Sequence, residues 1–409
     1  MFDIIVIGGG AAGMFAAITA GYAGASVLLL ERNDRLGKKL NITGKGRCNV
    51  TNNCPTSEVL KNIPRNSRFL YSAMAGFSPE DMMTFLESHG CPLKTERGNR
   101  VFPVSDKAGS VIETLKTALG YAGVTVRQAR AQEILCKNGA VCGVKTDRGS
   151  FAAQSVILAT GGCSYPATGS TGDGYRMAAA VGHTVIPPKG SLVPMEENGD
   201  VCSRMQGLAL RNVAVKLLDG QRVIYEEFGE LLFTHFGLSG PVILSASAHT
   251  EPEKTYTVSI DLKPALDEQK LDARILRDFA ENQNRTFENS LSGLYHKTMI
   301  PVIVERSGIP GDTRVNAITR EQRRALLDLT KHFTVGVAGL RPVEEAIITS
   351  GGIAVSEIHP KTMESKRCPG LYFAGEVIDC DAYTGGFNLQ IAWATAYAAG
   401  NAAAQRRTS

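Results

Sequence analysis

Between Asn41 and Cys54 the chain reads NITGKGRCNVTNNC. Thr43 to Asn49 packs a hydroxyl, two glycines, a lysine, an arginine, a thiol and an amide into one short run, and a second thiol follows at Cys54. Four chemistries use such residues: a phosphate loop, a metal site, a dithiol pair, or the floor of a cofactor pocket. A Walker-type phosphate loop needs Ser or Thr after its Gly-Lys, but Lys45 is followed by Gly46. Cys48 and Cys54 lack a Cys-x-x-Cys partner and a nearby His, so metal ligation is not indicated. A reductase-type dithiol wants a closer pair. The cofactor loop remains. In it Gly44 and Gly46 bring backbone N–H groups close, Arg47 supplies fixed charge, and Thr43 and Asn49 supply hydrogen bonds. Cys48 either touches the cofactor or is a buried, inert thiol.

The start of the chain says which cofactor class. The apolar run FDIIVIG predicts a buried strand, the Ala-rich AAGMFAAITAGYAGA a helix, and SVLLLE a second strand. At the first junction Gly8-Gly9-Gly10-Ala11-Ala12-Gly13 fits the dinucleotide fingerprint. Gly8 permits the tight turn, Gly10 lets backbone approach a pyrophosphate, and Gly13 lets helix and strand pack closely. The helix N-terminus, with roughly half a positive charge, faces the phosphates. Glu31 ends the second strand, where a carboxylate accepts ribose hydroxyls and repels a 2′-phosphate.

The other end of the chain separates NAD from FAD. GLYFAGEVIDCDAYTGGFNLQ reads as a strand, an acidic turn, a Gly-rich loop and a long helix. An NAD domain has no need of this late return, whereas a ribityl chain and flavin ring need a second set of donors. Gly375 and Glu376 suit ribityl or phosphate oxygens. Gly386, Phe387, Asn388 and Leu389 place a helix N-terminus beside a ring that gains negative charge on reduction. Arg32, Lys38, Lys39, Ala131, Gly161 and Gly162 complete the expected cofactor set.

These motifs sit in a chain of 409 residues with net charge +4, 43% hydrophobic and 21% charged residues, and nine cysteines. That describes a folded protein of two or three domains, mildly basic, with reduced thiols and a cytoplasmic location. No secretion signal and no run of roughly 18 apolar residues is seen, so no membrane partner is expected. SPEDMMTFLESHG predicts a helix capped by Ser78 with Pro79 at its first position. Asn138-Gly139 and Arg148-Gly149 fall where hairpin turns belong. From about residue 190 β-like segments and amphipathic helices take over. The buried texture returns near Thr334. The expected organisation is an FAD-binding domain over 1–190 and 335–409, with an inserted domain over 191–334.

The fingerprint, GKGRCNVTN, GNRVFPVSDKA, VILATGG, LLFTHFGLSGP, SGGI and LYFAGEVIDCDAYTGGFN together resemble the BaiN/YhiN-type family of FAD-dependent oxidoreductases. The likeness spans nearly the whole chain. It implies an α/β fold, with a Rossmann-like FAD-binding domain, an inserted β-barrel domain and a small helical subdomain. It also implies reduction of a C=C bond, on conjugated steroid enones or on a uridine of ribosomal RNA. A weaker likeness joins ATGGCSYPATGSTGDG to the fumarate reductase and succinate dehydrogenase flavoproteins.

Further candidates carry alternatives. His235, before a helix start at Ser239-Gly240-Pro241, is either a proton donor or a structural histidine. Arg47 is the other catalytic candidate. Tyr165 and Tyr383 flank Gly-rich loops as acids or stacking groups. No second nucleotide fingerprint appears, so NAD(P)H binds transiently or another donor serves. A small-molecule substrate is the leading partner. RNA is a second, although the basic stretch from His296 to His332 has few aromatics and reads as a solvated face. A non-enzymatic redox sensor using FAD and Cys is the third reading.

Overall fold

The structure is a computed structural model that describes residues 1–251 and 254–406. The six residues of Phe2–Ile7, five of them hydrophobic, form β1, and α1 (Ala11–Tyr22) and β2 (Val27–Glu31) complete a βαβ unit. A short α2 (Lys38–Ile42) leads into the TGKG loop and β3 (Thr51–Asn52). Next come α3 (Pro79–Ser88), β4 (Leu93–Glu96), β5 (Arg100–Pro103) and α4 (Ala108–Tyr121). Ser78 caps α3 in a reciprocal capping box with Asp81, and Pro79 opens it, as the sequence predicts. Four strands follow: β6 (Thr125–Gln128), β7 (Ala131–Lys137), β8 (Ala140–Thr146) and β9 (Gly149–Leu158). Asn138 and Gly139 both take positive φ, the hairpin geometry expected there. After α5 (Asp173–Ala180), β10 (Val185–Ser191) ends the first part of this unit.

The main sheet has the order β6-β2-β1-β9-β8-β7. β1 runs parallel to β2 and β9, which places Ile4 beside Val27 and Ser155. Ile4, Ile5 and Val6 are wholly buried, as a strand covered on both faces requires. β3, β5 and β4 form a small antiparallel sheet.

A second unit spans Leu192–Pro342. Its barrel begins with β11 (Met195–Glu197), β12 (Ala209–Asp219), β13 (Arg222–Phe233) and β14 (Gly237–Ser239). It continues with β15 (Tyr256–Asp261) and closes with β16 (Phe333–Leu340) in the order β11-β14-β13-β12-β15-β16. Between the last two strands lie α6 (Glu268–Glu281), α7 (Ile300–Ser307) and α8 (Arg320–Lys331). Leu271, Ile275, Phe287 and Leu326 of this helical segment share one core with barrel residues Phe233, Val258 and Phe333.

The first unit resumes at Val343. β17 (Ile348–Ile353) pairs with β10, β18 (Leu371–Phe373) joins the main sheet parallel to β9, and α9 (Phe387–Arg406) ends the described chain. The sequence reading returned to this unit at residue 335. That boundary is corrected, because the Gly-rich strand FTVGVAGL is β16, whose pairing with β15 and β11 closes the barrel. Gly336 and Gly339 gave this barrel strand the texture of a cofactor loop.

Candidate functional site

The turn after β1 explains each glycine of the fingerprint. Gly8 has φ +105, and a methyl there would lie 2.5 Å from the Ala159 carbonyl oxygen. A methyl on Gly13 would lie 1.7 Å from the Gly8 carbonyl oxygen, so α1 and the turn are in backbone contact. Gly10 differs: around its missing side chain nothing lies within 4 Å. It is the N-cap of α1, makes no side-chain cap, and no acid occupies the helix's first turn. Gly10 therefore leaves open space at the N-terminus of α1, beside Ala11 and Ala12, which is what a pyrophosphate needs. Glu31 is largely buried below the turn. Its carboxylate accepts the Gly9 N–H at 2.7 Å and both the backbone and side-chain N–H of Asn33 at 2.8 Å.

A second helix N-terminus joins this one. Gly375 packs against Ala12 and Ala392, and Gly400 against Ala16 and Thr19. Moving from Ala12 to Thr19 along α1 therefore moves from Ala392 to Gly400 along α9. The two helices run side by side in the same direction, with both N-termini at one end. Small residues allow this approach, and the Phe15 and Trp393 rings meet edge-on at 5.7 Å. Before α9, Gly385 and Gly386 have φ +124 and +100, and a methyl on Gly386 would lie 2.4 Å from the Thr51 carbonyl oxygen. Asn388 exchanges hydrogen bonds with the backbone of Ala382, and Asn52 donates to the Gly385 oxygen. Trp393 donates to the Val50 oxygen and Thr51 to Gln390. Phe387 is buried and Leu389 half-buried at the helix start.

These bonds moor the GKGRCNVTN loop to the start of α9. Gly44, Lys45, Gly46 and Cys48 all take positive φ, a coiled path in which the Arg47 N–H donates to the Gly44 oxygen at 3.3 Å and the Cys48 N–H to the Thr43 oxygen at 3.0 Å. Cys48 is wholly buried, and that burial pushes its thiol up to about 12, so it is no thiolate nucleophile. Thr43 donates to the Leu40 oxygen. The Asn49 Oδ1 atom is buried without a hydrogen-bond partner, as is Thr160 Oγ1 beside Gly161. An orphaned acceptor suits a cofactor N–H or O–H. Asn49→Ala is therefore expected to leave the melting temperature of the cofactor-free protein unchanged or higher. It should weaken cofactor binding about 5- to 150-fold, the equivalent of roughly 1–3 kcal/mol. Calorimetric scans with and without cofactor check both halves.

Arg47 is an ion-paired cation. Its guanidinium bonds Glu96 at 2.5 and 3.2 Å and Asp106 at 2.7 Å, and it stacks 4.0 Å over Phe102. Lys94 reaches the same Asp106 at 2.6 Å. The cation is compensated by two carboxylates held by β4 and the loop after β5. The fixed charge expected of Arg47 thus comes with two counter-charges, and the pairing anchors its loop.

Lys39 and Glu376, expected at phosphate and ribityl oxygens, pair with each other at 2.8 Å. Ser164 and the Thr349 N–H complete the carboxylate's partners at 3.2 and 2.7 Å. A methyl on Gly162 would lie 2.3 Å from Thr349 Oγ1, so the ATGG turn is wedged against β17. Lys38 pairs with Asp34 at 3.0 Å, and Arg32 with Asp173 at 3.0 Å. Ala131 is buried at the start of β7. Ser239, the N-cap expected from the sequence, lies in β14 instead, and Gly240 at φ +95 is the N-cap of the helix that Pro241 opens.

A cluster beside the Gly-rich turns escaped the sequence reading. Arg65 pairs with Asp381 at 3.2 Å and also bonds Ser350, while Ser191 donates to Asp381 at 2.9 Å. Asp381 is only 1% exposed. Asn66 donates to the Asp379 backbone and carboxylate. Burial pushes the Asp379 carboxyl above its ordinary range, against the pull of Arg65. Ser350 and Asp379-Cys380-Asp381 lie within the recognised SGGI and IDCDA runs, which is the signal that was available. His235 is exposed in the turn between β13 and β14, its ring 5.0 Å from that of Phe236.

One constellation has the layout of a hydrolase triad and is not one. His183 contacts Ser365 Oγ at 2.8 Å and Glu357 at 3.2 Å. Ser365 is buried, and its oxygen already accepts the N–H groups of Arg367 and Cys368. It is a structural tie between the end of α5 and the segment before β18.

Residues 2–402 match the family model described as the HI0933-like protein Rossmann domain. The chain is 31% identical over 412 residues to the 3-dehydro-bile acid delta(4,6)-reductase of Clostridium scindens, covering 99% of this chain and 100% of that protein. It is also 31% identical over 397 residues to the ribosomal RNA dihydrouridine synthase of Escherichia coli, covering 97% and 96%. Among solved structures, the fold is similar to a 3-ketosteroid delta1-dehydrogenase of Sterolibacterium denitrificans. That match has a TM-score of 0.52 and 13% identity and covers 99% of each chain.

Proposed function

The chain belongs to the HI0933-like family of FAD-dependent oxidoreductases, and from that premise we propose that it reduces a conjugated C=C bond of a small enone, steroid-like in shape. The observation that carries this reading is the end-to-end similarity to the Clostridium scindens reductase. Bound FAD supplies hydride to an electron-poor carbon, and NAD(P)H is the donor we assign to reload it. The turn at Gly8, Gly10 and Gly13 and the N-terminus of α1 hold the pyrophosphate, and Glu31 the adenosine ribose. Asn49, Thr160 and the N-terminus of α9 hold the ribityl and ring portion.

The reaction also needs a proton beside the carbon that receives hydride. Asp379 is our first candidate within the FAD unit, since its carboxyl keeps a proton to higher pH than an ordinary aspartate. Arg65, clamped by Asp381, is suited to hold the substrate carbonyl as it gains negative charge.

The similarity to the Escherichia coli enzyme favours one second reading, reduction of a uridine in RNA. Titrating the oxidised holoprotein separates them. A 3-keto-4-ene steroid is expected to perturb the flavin absorbance saturably and with little dependence on salt. Tight binding of a uridine-bearing ribosomal RNA fragment that weakens steeply with salt, with no steroid response, would support the RNA reading instead.

A further inference from the structure

We propose that Cys136 and Cys368 form a reversible disulfide, a modification site within the FAD unit. Their Sγ atoms lie 3.4 Å apart although 232 residues separate them in sequence. The sequence offers Cys136 a different neighbour, Cys142, across the β7–β8 hairpin. Alternation along the strands separates those two: register pairs Cys136 with Val141.

Backbone bonds hold both thiols in place. Val141, opposite Cys136, donates its N–H to the Pro369 oxygen at 3.1 Å. The Cys368 N–H donates to Ser365 Oγ at 2.7 Å, and the Leu371 N–H returns to the Cys368 oxygen at 3.1 Å. A methyl on Gly370 would lie 2.9 Å from the Gln154 oxygen, so this turn is seated on β9. The approach of the two sulfurs therefore follows from sheet register and turn packing.

Their exposures differ in a way that orders the chemistry. Cys136 is exposed and Cys368 only 3% exposed. A peroxide reaches Cys136 first and converts its thiol to a sulfenic acid, releasing one water. The Cys368 sulfur then attacks the Cys136 sulfur, the S–S bond forms, and the sulfenic oxygen leaves as a second water. Overall two thiols lose two hydrogens and one hydrogen peroxide is reduced to two waters. Two equivalents of a small thiol reverse the step and leave as their own disulfide. Burial and the neighbouring Cys136 push the Cys368 thiol up to about 12, which slows the second step and leaves proximity to drive it.

The bond would fasten the β7–β8 hairpin to the turn that feeds β18, and β18 leads directly to Gly375 and Glu376. A link closing so long a loop constrains the unfolded chain strongly. The test treats the FAD-loaded protein with hydrogen peroxide, then maps its cysteines by differential alkylation and peptide mass under non-reducing conditions. The expected result is a Cys136–Cys368 crosslinked peptide lighter by two hydrogens. The melting temperature should rise by roughly 5 °C and return on adding dithiothreitol. Cys136→Ser should abolish the crosslink and the shift, and Cys142→Ser should keep both. Cys136 found as sulfinic acid with Cys368 still open to alkylation after unfolding, or a crosslink that survives Cys136→Ser, would overturn the assignment.

Discussion

Gly10→Val is expected to give a folded protein without its yellow cofactor. Gly10 caps α1 with φ −81 and ψ −167, an extended backbone open to any residue. Nothing lies within 4 Å of the added carbon, so the cofactor-free protein has room for the side chain. An isopropyl group there fills the open space at the N-terminus of α1. It blocks the pyrophosphate and strips its hydrogen bonds at once. Affinity for FAD should fall by more than about a hundredfold, or roughly 2.7 kcal/mol, while the melting temperature of the cofactor-free protein stays within about 2 °C. Equilibrium titration of refolded apoprotein with FAD measures the first quantity and thermal melting the second. A variant that binds FAD normally would place the pyrophosphate elsewhere.

Gly13→Ala, a smaller change three residues away, is expected to do the opposite. Its methyl would meet the Gly8 carbonyl oxygen at 1.7 Å and the Ala159 side chain at 3.4 Å. The obstruction is backbone, so no side-chain rotation relieves it. Helix α1 must move away from the turn, and with it the contact to α9. Overpacking against backbone belongs at the upper end of the usual range, about 3 kcal/mol. The cofactor-free protein should therefore melt roughly 6–12 °C lower, with FAD binding lost as a consequence. Thermal melts of both apoproteins side by side separate the roles. A Gly13→Ala protein as stable as the parent would show that the close approach of helix and turn is dispensable.

The contrast also shows which features a sequence can disclose. The tight turn at Gly8 and the close packing at Gly13 were legible because both are local to one βαβ unit, with strand, turn and helix adjacent in the chain. The hairpin at Asn138-Gly139 and the capping box at Ser78 were legible for the same reason. The partners of Arg47, Glu96 and Asp106, were not legible because they reach it only through tertiary packing of β4 and the loop after β5. Lys39 and Glu376 are 337 residues apart, and no local pattern announces their pairing. Arg65 sits in a polar loop with no motif of its own, and only the return of the chain at Ser350 and Asp381 gives it partners. The exit from the inserted domain was placed early because β16 carries Gly336 and Gly339 as β17 carries Gly351 and Gly352, although burial alternates along β16 and is continuous along β17.

In the proposed function a flavin held by the first unit saturates an enone. The direct measurement is anaerobic reoxidation. FAD-loaded protein is photoreduced without oxygen and mixed separately with a 3-keto-4-ene steroid, with a ribosomal RNA fragment and with buffer, while flavin absorbance is followed. The account predicts rapid return of the oxidised spectrum with the steroid enone alone, together with a stoichiometric product lacking the conjugated C=C bond. A flavin that stays reduced with every enone tried, yet is reoxidised by the RNA with formation of dihydrouridine, would contradict it.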